Sequence, residues 1–291
     1  MERELWLALY KLLRSLGTSP WSAVTKFFDW EIVAVQLWAV IHDRPTRWAC
    51  QSINWPKDLW RGNLPSQSTM SRRLPTTEVQ KLLAEMEQQL AALDRDGLVK
   101  LVDGKPLLVG SHSKDPDAQW GHVRRGWGKG YKFHAVYGAG SIPLAWEVSP
   151  LNEAEPEVAA RLISSIRGGG GYILGDSSYD SNPLHDVALA VGHQLVAQRK
   201  RPQSGLGHRR HSPGRLRSIA LLRQEFGQKL YAFREQVERN FGWLTNHGGG
   251  LAPLPNWVRR STRVRSWVQA KLLIHATYVY LASTSPPLAI A

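Results

Sequence analysis

The first third of the chain has the apolar spacing of amphipathic helices. Residues 2–16 and 78–95 both repeat apolar side chains at helical intervals, and Thr77 is a favourable N-cap for the second segment. Seven of the 13 tryptophans precede residue 61, and we interpret them as core side chains. This pattern predicts an all-α domain over residues 1–97. The apolar face of the first helix would be formed by Leu5, Leu9, Leu12 and Leu16.

After residue 97 the pattern changes to short apolar runs typical of strands. Helical segments near 153–167 and 182–191 separate the later runs. Strands followed by alternating helices and strands indicate a mixed α/β sheet flanked by helices, which we assign to a second domain at 98–291. The predicted strands are 98–103, 106–111, 131–137, 142–148, 172–176 and 194–198.

A short polar helix in the first domain has two interpretations. Its sequence, GNLPSQSTMSRRL, contains Pro65 and Ser66, which favour a helix start. Small polar and basic side chains suit a recognition helix in the DNA major groove, as in a helix-turn-helix domain, but they also suit an ordinary surface helix. The exposed candidates are Gln67, Ser68, Thr69, Arg72 and Arg73.

The net charge of +13 is concentrated at the end of the chain. Residues 187–291 carry 16 basic and only three acidic side chains, whereas the preceding residues are neutral overall. Such asymmetry points to nucleic acid or an anionic membrane as partner. The longest apolar run, 272–282, is too short to span a bilayer, and the N-terminal sequence has no signal-peptide pattern. A single cysteine fits a reducing compartment. We therefore expect a cytoplasmic protein that binds nucleic acid.

The strongest concentration of charge is a predicted basic loop at 199–217. It contains seven Arg or Lys residues and no acid, and its Pro and Gly residues oppose a helix. We expect this loop to contact a phosphate backbone through Arg209, Arg210, Arg215 and Arg217.

Three carboxylates stand out as candidate metal ligands. Asp103 ends a predicted strand, although Asp-Gly is also a strong hairpin-turn signal, and Asp176 ends another strand. On a continuous helix Tyr231, Arg234, Glu238 and Thr245 would share an arc of about 60°. Glu238 either ligates a metal or only pairs with Arg234. A site with oxygen ligands alone favours Mg²⁺ or Mn²⁺, and two such ions can assist phosphoryl transfer.

These motifs together resemble the DDE transposases of bacterial insertion sequences, in the group with a Tyr-Arg-Glu-Lys signature. Tyr231, Arg234 and Glu238 match its spacing, while Thr245 stands at the lysine position and lacks that charge. The segments DGKPL and GDSSYDS resemble the motifs of the first and second catalytic aspartates, and RGWGKGYKFH resembles the segment between them. The likeness extends over about residues 98–282.

The resemblance implies a ribonuclease-H-like catalytic fold behind a DNA-binding domain. It implies that two Mg²⁺ or Mn²⁺ ions are held by Asp103, Asp176 and Glu238, and that Tyr231 and Arg234 bind DNA phosphate. The segment between the aspartates would place Lys132 and His134 near the active edge, with Lys132 also contacting DNA. The short spacing between Asp176 and Glu238 leaves the basic loop where some relatives carry a large insertion.

The activity implied is cleavage of double-stranded DNA at terminal inverted repeats, followed by strand transfer into target DNA. Pairing of two ends implies a homodimer in the synaptic complex, in the bacterial cytoplasm at the nucleoid. Two alternatives remain open at this stage. One is a DNA-binding protein of transposase ancestry without catalysis, which Thr245 motivates, and the other is a metal-dependent nuclease without strand transfer.

Overall fold

A computed structural model describes residues 2–16, 26–60, 62–92, 97–123, 126–138, 140, 142–166, 169–208, 210–246, 250–251 and 253–284. The helices are α1 (Glu2–Ser15), α2 (Asp29–Ile41), α3 (Thr46–Ala49), α4 (Gln67–Arg73), α5 (Thr77–Ala91), α6 (Glu155–Ser165), α7 (Asn182–Ala190), α8 (Pro213–Leu222), α9 (Glu225–Ala232), α10 (Glu235–Asn246) and α11 (Ser261–Thr284). The strands are β1 (Val99–Leu108), β2 (Gln119–Val123), β3 (Gly126–Tyr137), β4 (Pro143–Pro150), β5 (Gly171–Gly175) and β6 (His193–Ala197). Single 3-10 turns occupy Ser52–Asn54 and Ser177–Tyr179.

The chain forms two compact units. The first contains Met1–Leu93, Asn246–Leu251 and Pro255–Ala291, and the second contains Asp94–Thr245 and Ala252–Leu254. No described helix is long and apolar enough to cross a bilayer.

All regular secondary structure described in the first unit is helical, as the apolar pattern predicts. Helix α2 is its centre, because residues 32–40 of this helix are all buried. The buried side of α1 includes Trp6 and Leu13 beside Leu5 and Leu9, so the predicted stripe through Leu12 and Leu16 is displaced. Residues four apart lie on one helix face, and Leu5, Leu9 and Leu13 obey that spacing.

Tryptophans fill the core of this unit. The rings of Trp38 and Trp55 stack with centroids 4.7 Å apart, and Trp6 meets each of them edge-on at 5.3 Å. All three are buried, which confirms the interpretation as core for these three. Trp30, Trp48 and Trp60 are only half-buried, and Trp21 lies outside the described residues. The indole N–H groups of Trp38 and Trp55 donate to main-chain carbonyls of Asn54 and Ala49, so burial leaves neither of them unpaired.

Helix α11 belongs to this first unit, and the assignment of all residues after 97 to one domain is corrected here. It packs against α1, α2 and α5, and its buried side chains include Val264, Val268 and Leu273. An ion pair of 2.5 Å between Lys271 and Asp43 also joins the end of the chain to this unit. The sequence shows an apolar helix at this point but carries no signal for the helices it packs on.

The second unit is built on a mixed sheet with the strand order β2-β3-β1-β5-β6, and β4 pairs with β3. β3 is antiparallel to β1, β2 and β4, whereas β5 and β6 run parallel to β1. An antiparallel group followed by parallel strands, with helices on the faces, confirms the predicted ribonuclease-H-like fold class. A core that includes Val102, Ile173 and Leu184 fills the space between the sheet and helices α6 and α7.

Three local predictions in the second unit are wrong. β1 runs without interruption through Asp103 and Gly104, so the Asp-Gly pair forms no hairpin turn. The basic loop ends before Pro213, where α8 begins, although Pro and Gly were expected to prevent a helix. A proline in the first turn costs no hydrogen bond, because that N–H has no helical partner. β2 was not predicted.

The third error concerns the helix expected to carry Tyr231, Arg234 and Glu238 together. Tyr231 lies on α9, Arg234 lies in a turn, and Glu238 lies on α10. Main-chain bonds between residues three apart replace the helical pattern across the junction, including Arg234 N–H to the Tyr231 carbonyl at 3.0 Å.

Candidate active site

Asp103, within β1, and Asp176, directly after β5, lie side by side on two adjacent interior strands of the sheet. Leu101 of β1 is paired with Leu174 of the parallel strand β5, and each aspartate follows two residues later. Side chains two residues apart point to the same face of a strand, so both carboxylates lie level on one face. Asp103 Oδ1 accepts the N–H of Gly104 at 2.8 Å, and Asp176 Oδ1 accepts the N–H of Ser178 at 2.7 Å.

The electrostatics of Asp103 are those of a crowded acidic site. Burial, together with the neighbouring charges of Asp176 and Glu155, raises its pKa to about 7. The Gly104 N–H and the guanidinium of Arg234 act in the opposite direction. A carboxyl that stays partly protonated near neutrality is unusual for an aspartate, and such groups concentrate at functional sites.

Tyr231 and Arg234 lie beside this pair, as the sequence motif requires. The Tyr231 hydroxyl donates to the carbonyl of Gly175 at 3.0 Å, which ties α9 to the residue before Asp176. Burial raises the pKa of this hydroxyl. The charge of Arg234 acts on Asp103, and its guanidinium also donates to Glu238 at 3.4 Å.

Glu238 is the candidate ligand that stands apart. Its side chain is 69% exposed, and its Oε1 pairs with Arg234 at 3.4 Å. In the part of the chain that the structure describes, no three His, Cys, Asp or Glu side chains lie close enough to hold a metal ion. Even so, Phe241 on the same helix packs edge-on against Phe133 and Tyr137 of β3, with centroids 5.8 and 5.6 Å away. The strand register places these two rings on the same sheet face as Asp103, so α10 covers that face.

The structure adds a carboxylate that the sequence motifs do not mark. Glu155, the first residue of α6, pairs through Oε1 with Lys132 Nζ at 2.6 Å. Its Oε2 lies 2.5 Å from the hydroxyl of Ser178, which is also 2.5 Å from Asp176 Oδ1. An acidic residue in the first turn of a helix is common for dipole reasons, so its position alone gives no signal of a site.

Two residues expected near the active edge have buried positions on the sheet. The amine of Lys132, predicted to contact DNA, is engaged by Glu155. His134 lies beside Ser149, with 3.0 Å between its Nε2 and the hydroxyl oxygen. Burial and then the charge of Lys132 lower the pKa of His134 to about 3, so the ring is neutral at physiological pH.

The predicted DNA-contacting arginines of the basic loop differ in their surroundings. Arg210 and Arg217 are exposed. Arg215 instead forms two bonds to the buried Asp180, at 2.6 and 2.8 Å. The N–H of Lys200 donates to the same carboxylate at 3.1 Å, so Asp180 holds both ends of the loop. Arg209 and the side chain of Thr245 lie outside the described residues.

In the predicted recognition helix, α4, the two arginines also differ. Ser66 caps the helix by accepting the N–H of Thr69 at 3.2 Å. Arg72 is exposed, whereas Arg73 donates to Asp29 at 2.6 Å and to the Phe27 carbonyl at 3.1 Å. Arg73 therefore fastens α4 to the start of α2, and Arg72 is the basic side chain of this helix that faces solvent.

Comparison with known proteins places these residues in a family context. The family model described as "Transposase DDE domain" matches residues 94–274, which is more than half of the chain and includes Asp103, Asp176 and Glu238. A cryo-EM structure of the piggyBac transposase synaptic complex with hairpin DNA is similar with a TM-score of 0.49 and 11% identity, covering 97% of this chain and 73% of that chain. No curated protein matches the sequence.

Proposed function

The chain belongs to the transposase DDE domain family, and from this premise we propose that it cuts transposon ends and transfers them to target DNA. The observation that carries the proposal is the level placement of Asp103 and Asp176 on adjacent parallel strands. Burial and the adjacent Asp176 carboxylate raise the pKa of Asp103, an arrangement that costs stability unless a cation or a proton compensates it.

Transposase DDE domains generally use divalent metal ions, and the donors in this chain fit such an ion. Carboxylate oxygens are the ligands that Mg²⁺ and Mn²⁺ prefer, and the crowded charge around Asp103 is relieved by a cation. We assign Asp103, Asp176 and Glu238 as the ligands of two ions. When bound, the ions supply activation of the attacking oxygen and stabilisation of the leaving oxygen.

The remaining side chains position the DNA. The Tyr231 hydroxyl and the Arg234 guanidinium lie at the edge of the aspartate pair and would contact the phosphate that is cut. Arg234 also pairs with Glu238, so a phosphate that attracts Arg234 would free the glutamate to face the aspartates. Helix α10 already packs on the correct sheet face for this movement.

Double-stranded DNA is the proposed partner, as transposon ends and as target. The exposed members of the 16 basic side chains after residue 186, such as Arg210 and Arg217, supply the positive surface that a phosphate backbone requires. The helical unit would read the terminal repeats through α4, with Arg72 facing the groove, and two copies would pair the ends in a homodimer. We place this reaction in the bacterial cytoplasm, at the nucleoid.

A DNA-binding protein without catalysis is the second candidate. Two observations favour it. The exposed Glu238 lies apart from the two aspartates, and the threonine at position 245 lacks the positive charge of the lysine in the family signature. A metal-dependent nuclease that cuts without joining is the third.

The test is a cleavage assay on labelled DNA that carries the sequences flanking the gene, with Mn²⁺. We expect cut and joined products from the wild type, and none from Asp103→Asn, Asp176→Asn or Glu238→Gln while DNA binding persists. Glu225→Gln is the matched control, because Glu225 is an exposed acid of α9 paired only with the exposed Lys229. Wild-type cleavage by a ligand variant refutes the site, products that are cut but never joined indicate a nuclease, and binding without cutting indicates the inactive protein.

A further inference from the structure

Glu155 stands in a chain of short contacts that ends on a proposed metal ligand. The chain runs from Lys132 Nζ to Glu155 at 2.6 Å, from Glu155 to the Ser178 hydroxyl at 2.5 Å, and from that hydroxyl to Asp176 Oδ1 at 2.5 Å. The side chains of Lys132 and Glu155 are only 11% and 22% exposed. A nearly buried ion pair is weak as a stability device, because desolvation offsets its attraction. The contacts of the Lys132–Glu155 pair therefore matter more for the orientation of the neighbouring side chains than for stability.

The single proton of Ser178 couples the two carboxylates. A hydroxyl donates one hydrogen bond, so it cannot donate to Glu155 and Asp176 at the same time. Lys132 neutralises Glu155 from the opposite side, which keeps the carboxylate from adding a net charge beside Asp176. The main-chain N–H of Ser178 donates to Asp176 Oδ1 independently of the hydroxyl, so residue 178 binds Asp176 even when its hydroxyl proton is given to Glu155.

We propose that Glu155 is a positioning residue of the active site, which holds Asp176 in its ligand orientation through Ser178. The inference rests on the proposed function for the identity of the ligand, but the contacts themselves are independent of it. Partners that orient a metal ligand affect affinity about 10–100-fold when removed. Glu155 acts on the metal through Asp176, without ligating it.

The Asp-Gly motif contributes to the same arrangement. A Cβ atom at Gly104 would lie 3.0 Å from Lys132 Cδ and 3.2 Å from His134 Nδ1. Glycine at this position therefore leaves the space through which Lys132 reaches Glu155, a role that the turn-like sequence conceals.

The test measures Mn²⁺ affinity by calorimetry, without DNA, for the wild type, Glu155→Ala, Ser178→Ala, their double variant and Glu155→Gln. We expect each alanine variant to bind about tenfold more weakly, and the double variant to bind no more weakly than either single variant. Glu155→Gln should stay within about threefold of wild type, because its Oε1 can accept from Lys132 while its Nε2 donates to Ser178. Glu157→Ala, an exposed residue of the same helix, is the control.

The outcomes separate the alternatives. If Ser178→Ala binds like wild type while Glu155→Ala and Glu155→Gln lose affinity equally, Glu155 is itself a ligand and the positioning role is refuted. If wild type and Asp176→Asn bind Mn²⁺ alike, the proposed function fails instead. In that case urea unfolding of the metal-free variants tests whether Glu155 and Ser178 are coupled. The equilibrium constant of unfolding should change in the double variant by a factor smaller than the product of the factors for the two single variants. A change equal to that product refutes the coupling between Glu155 and Ser178.

Discussion

Replacing Asp103 by asparagine should stabilise the metal-free protein, and the gain should depend on pH. Burial and the neighbouring Asp176 raise the pKa of Asp103 from its ordinary 3.8 to about 7 in the folded state. Above pH 7 the folded protein must keep a carboxylate that the unfolded chain carries at no cost. Asparagine has nearly the same shape, retains an oxygen for the Gly104 N–H, and carries no charge.

The magnitude follows from linkage, at 1.36 kcal/mol for each pH unit between the two pKa values. At pH 8 the variant should be more stable than wild type by about 4 kcal/mol, because almost the whole difference between the two pKa values applies. At pH 5 the folded carboxyl is protonated and the unfolded one is still charged, so the gain falls to about 1.5 kcal/mol. Near pH 3 it vanishes, since both states are protonated.

Urea unfolding at pH 8 and pH 5, in the presence of a chelator, measures this difference. Asp186→Asn, which changes an exposed carboxyl on α7, should stay within about 0.5 kcal/mol of wild type at both pH values. Saturating Mg²⁺ should stabilise the wild type and leave Asp103→Asn unchanged, because only the wild type keeps the ligand. An equal gain at both pH values would refute the reasoning, since it would show that Asp103 does not titrate near neutrality.

Three further predictions concern the surroundings of the site. Burial alone would raise the pKa of Asp180, but the bonds from Arg215, His185 and the Lys200 N–H hold it well below its ordinary value. Asp180→Asn should therefore cost about 3 kcal/mol in urea unfolding at pH 7. The difference from wild type should shrink below pH 4, because the carboxyl of the unfolded wild-type chain takes up a proton there while the folded one stays charged. Charge removal at Arg210 and Arg217 together should lower the salt slope of DNA binding by about 1.8, and an unchanged slope would show that neither contacts phosphate. Gly171→Ala should cost about 2 kcal/mol or more in thermal unfolding, because φ is +109° and a Cβ would lie 2.1 Å from the Leu98 carbonyl oxygen. Gly110→Ala, which has open space around it, is the control and should leave the stability unchanged.

The elements that the sequence could predict are those whose hydrophobic pattern arises within a single helix or strand. The amphipathic helices α1 and α5 and the buried strands β5 and β6 were all predicted within a few residues of their observed bounds. Helical and strand periodicities are local, so a single sequence is enough to show them. Asp176, directly after β5, belongs to the same class of signal, whereas Asp103 lies within β1 and not at its end.

The errors share a different physical origin, because each depends on contacts distant in sequence. Asp-Gly is a turn signal, yet Gly104 sits within a strand where the Lys132 side chain needs its space. The break between α9 and α10 interrupts a continuous helical pattern, and α11 packs on helices more than 150 residues earlier in the chain. Glu155 joins the site only through Ser178 and Lys132. Such contacts arise from the fold and leave no pattern along the chain.

Arg234 connects the two halves of the candidate site and explains why it is incomplete without a cation. Its one positive charge acts on Asp103 and simultaneously pairs with Glu238. Three carboxylates carry up to three negative charges, and one guanidinium supplies one positive charge. Burial is the main cause of the raised pKa of Asp103, and the charges of Asp176 and Glu155 add to it. Under the proposed function, one divalent ion held by these carboxylates would, together with Arg234, equal their negative charge. The second proposed ion would leave the positive charge that a DNA phosphate requires, and that phosphate would compete with Glu238 for Arg234.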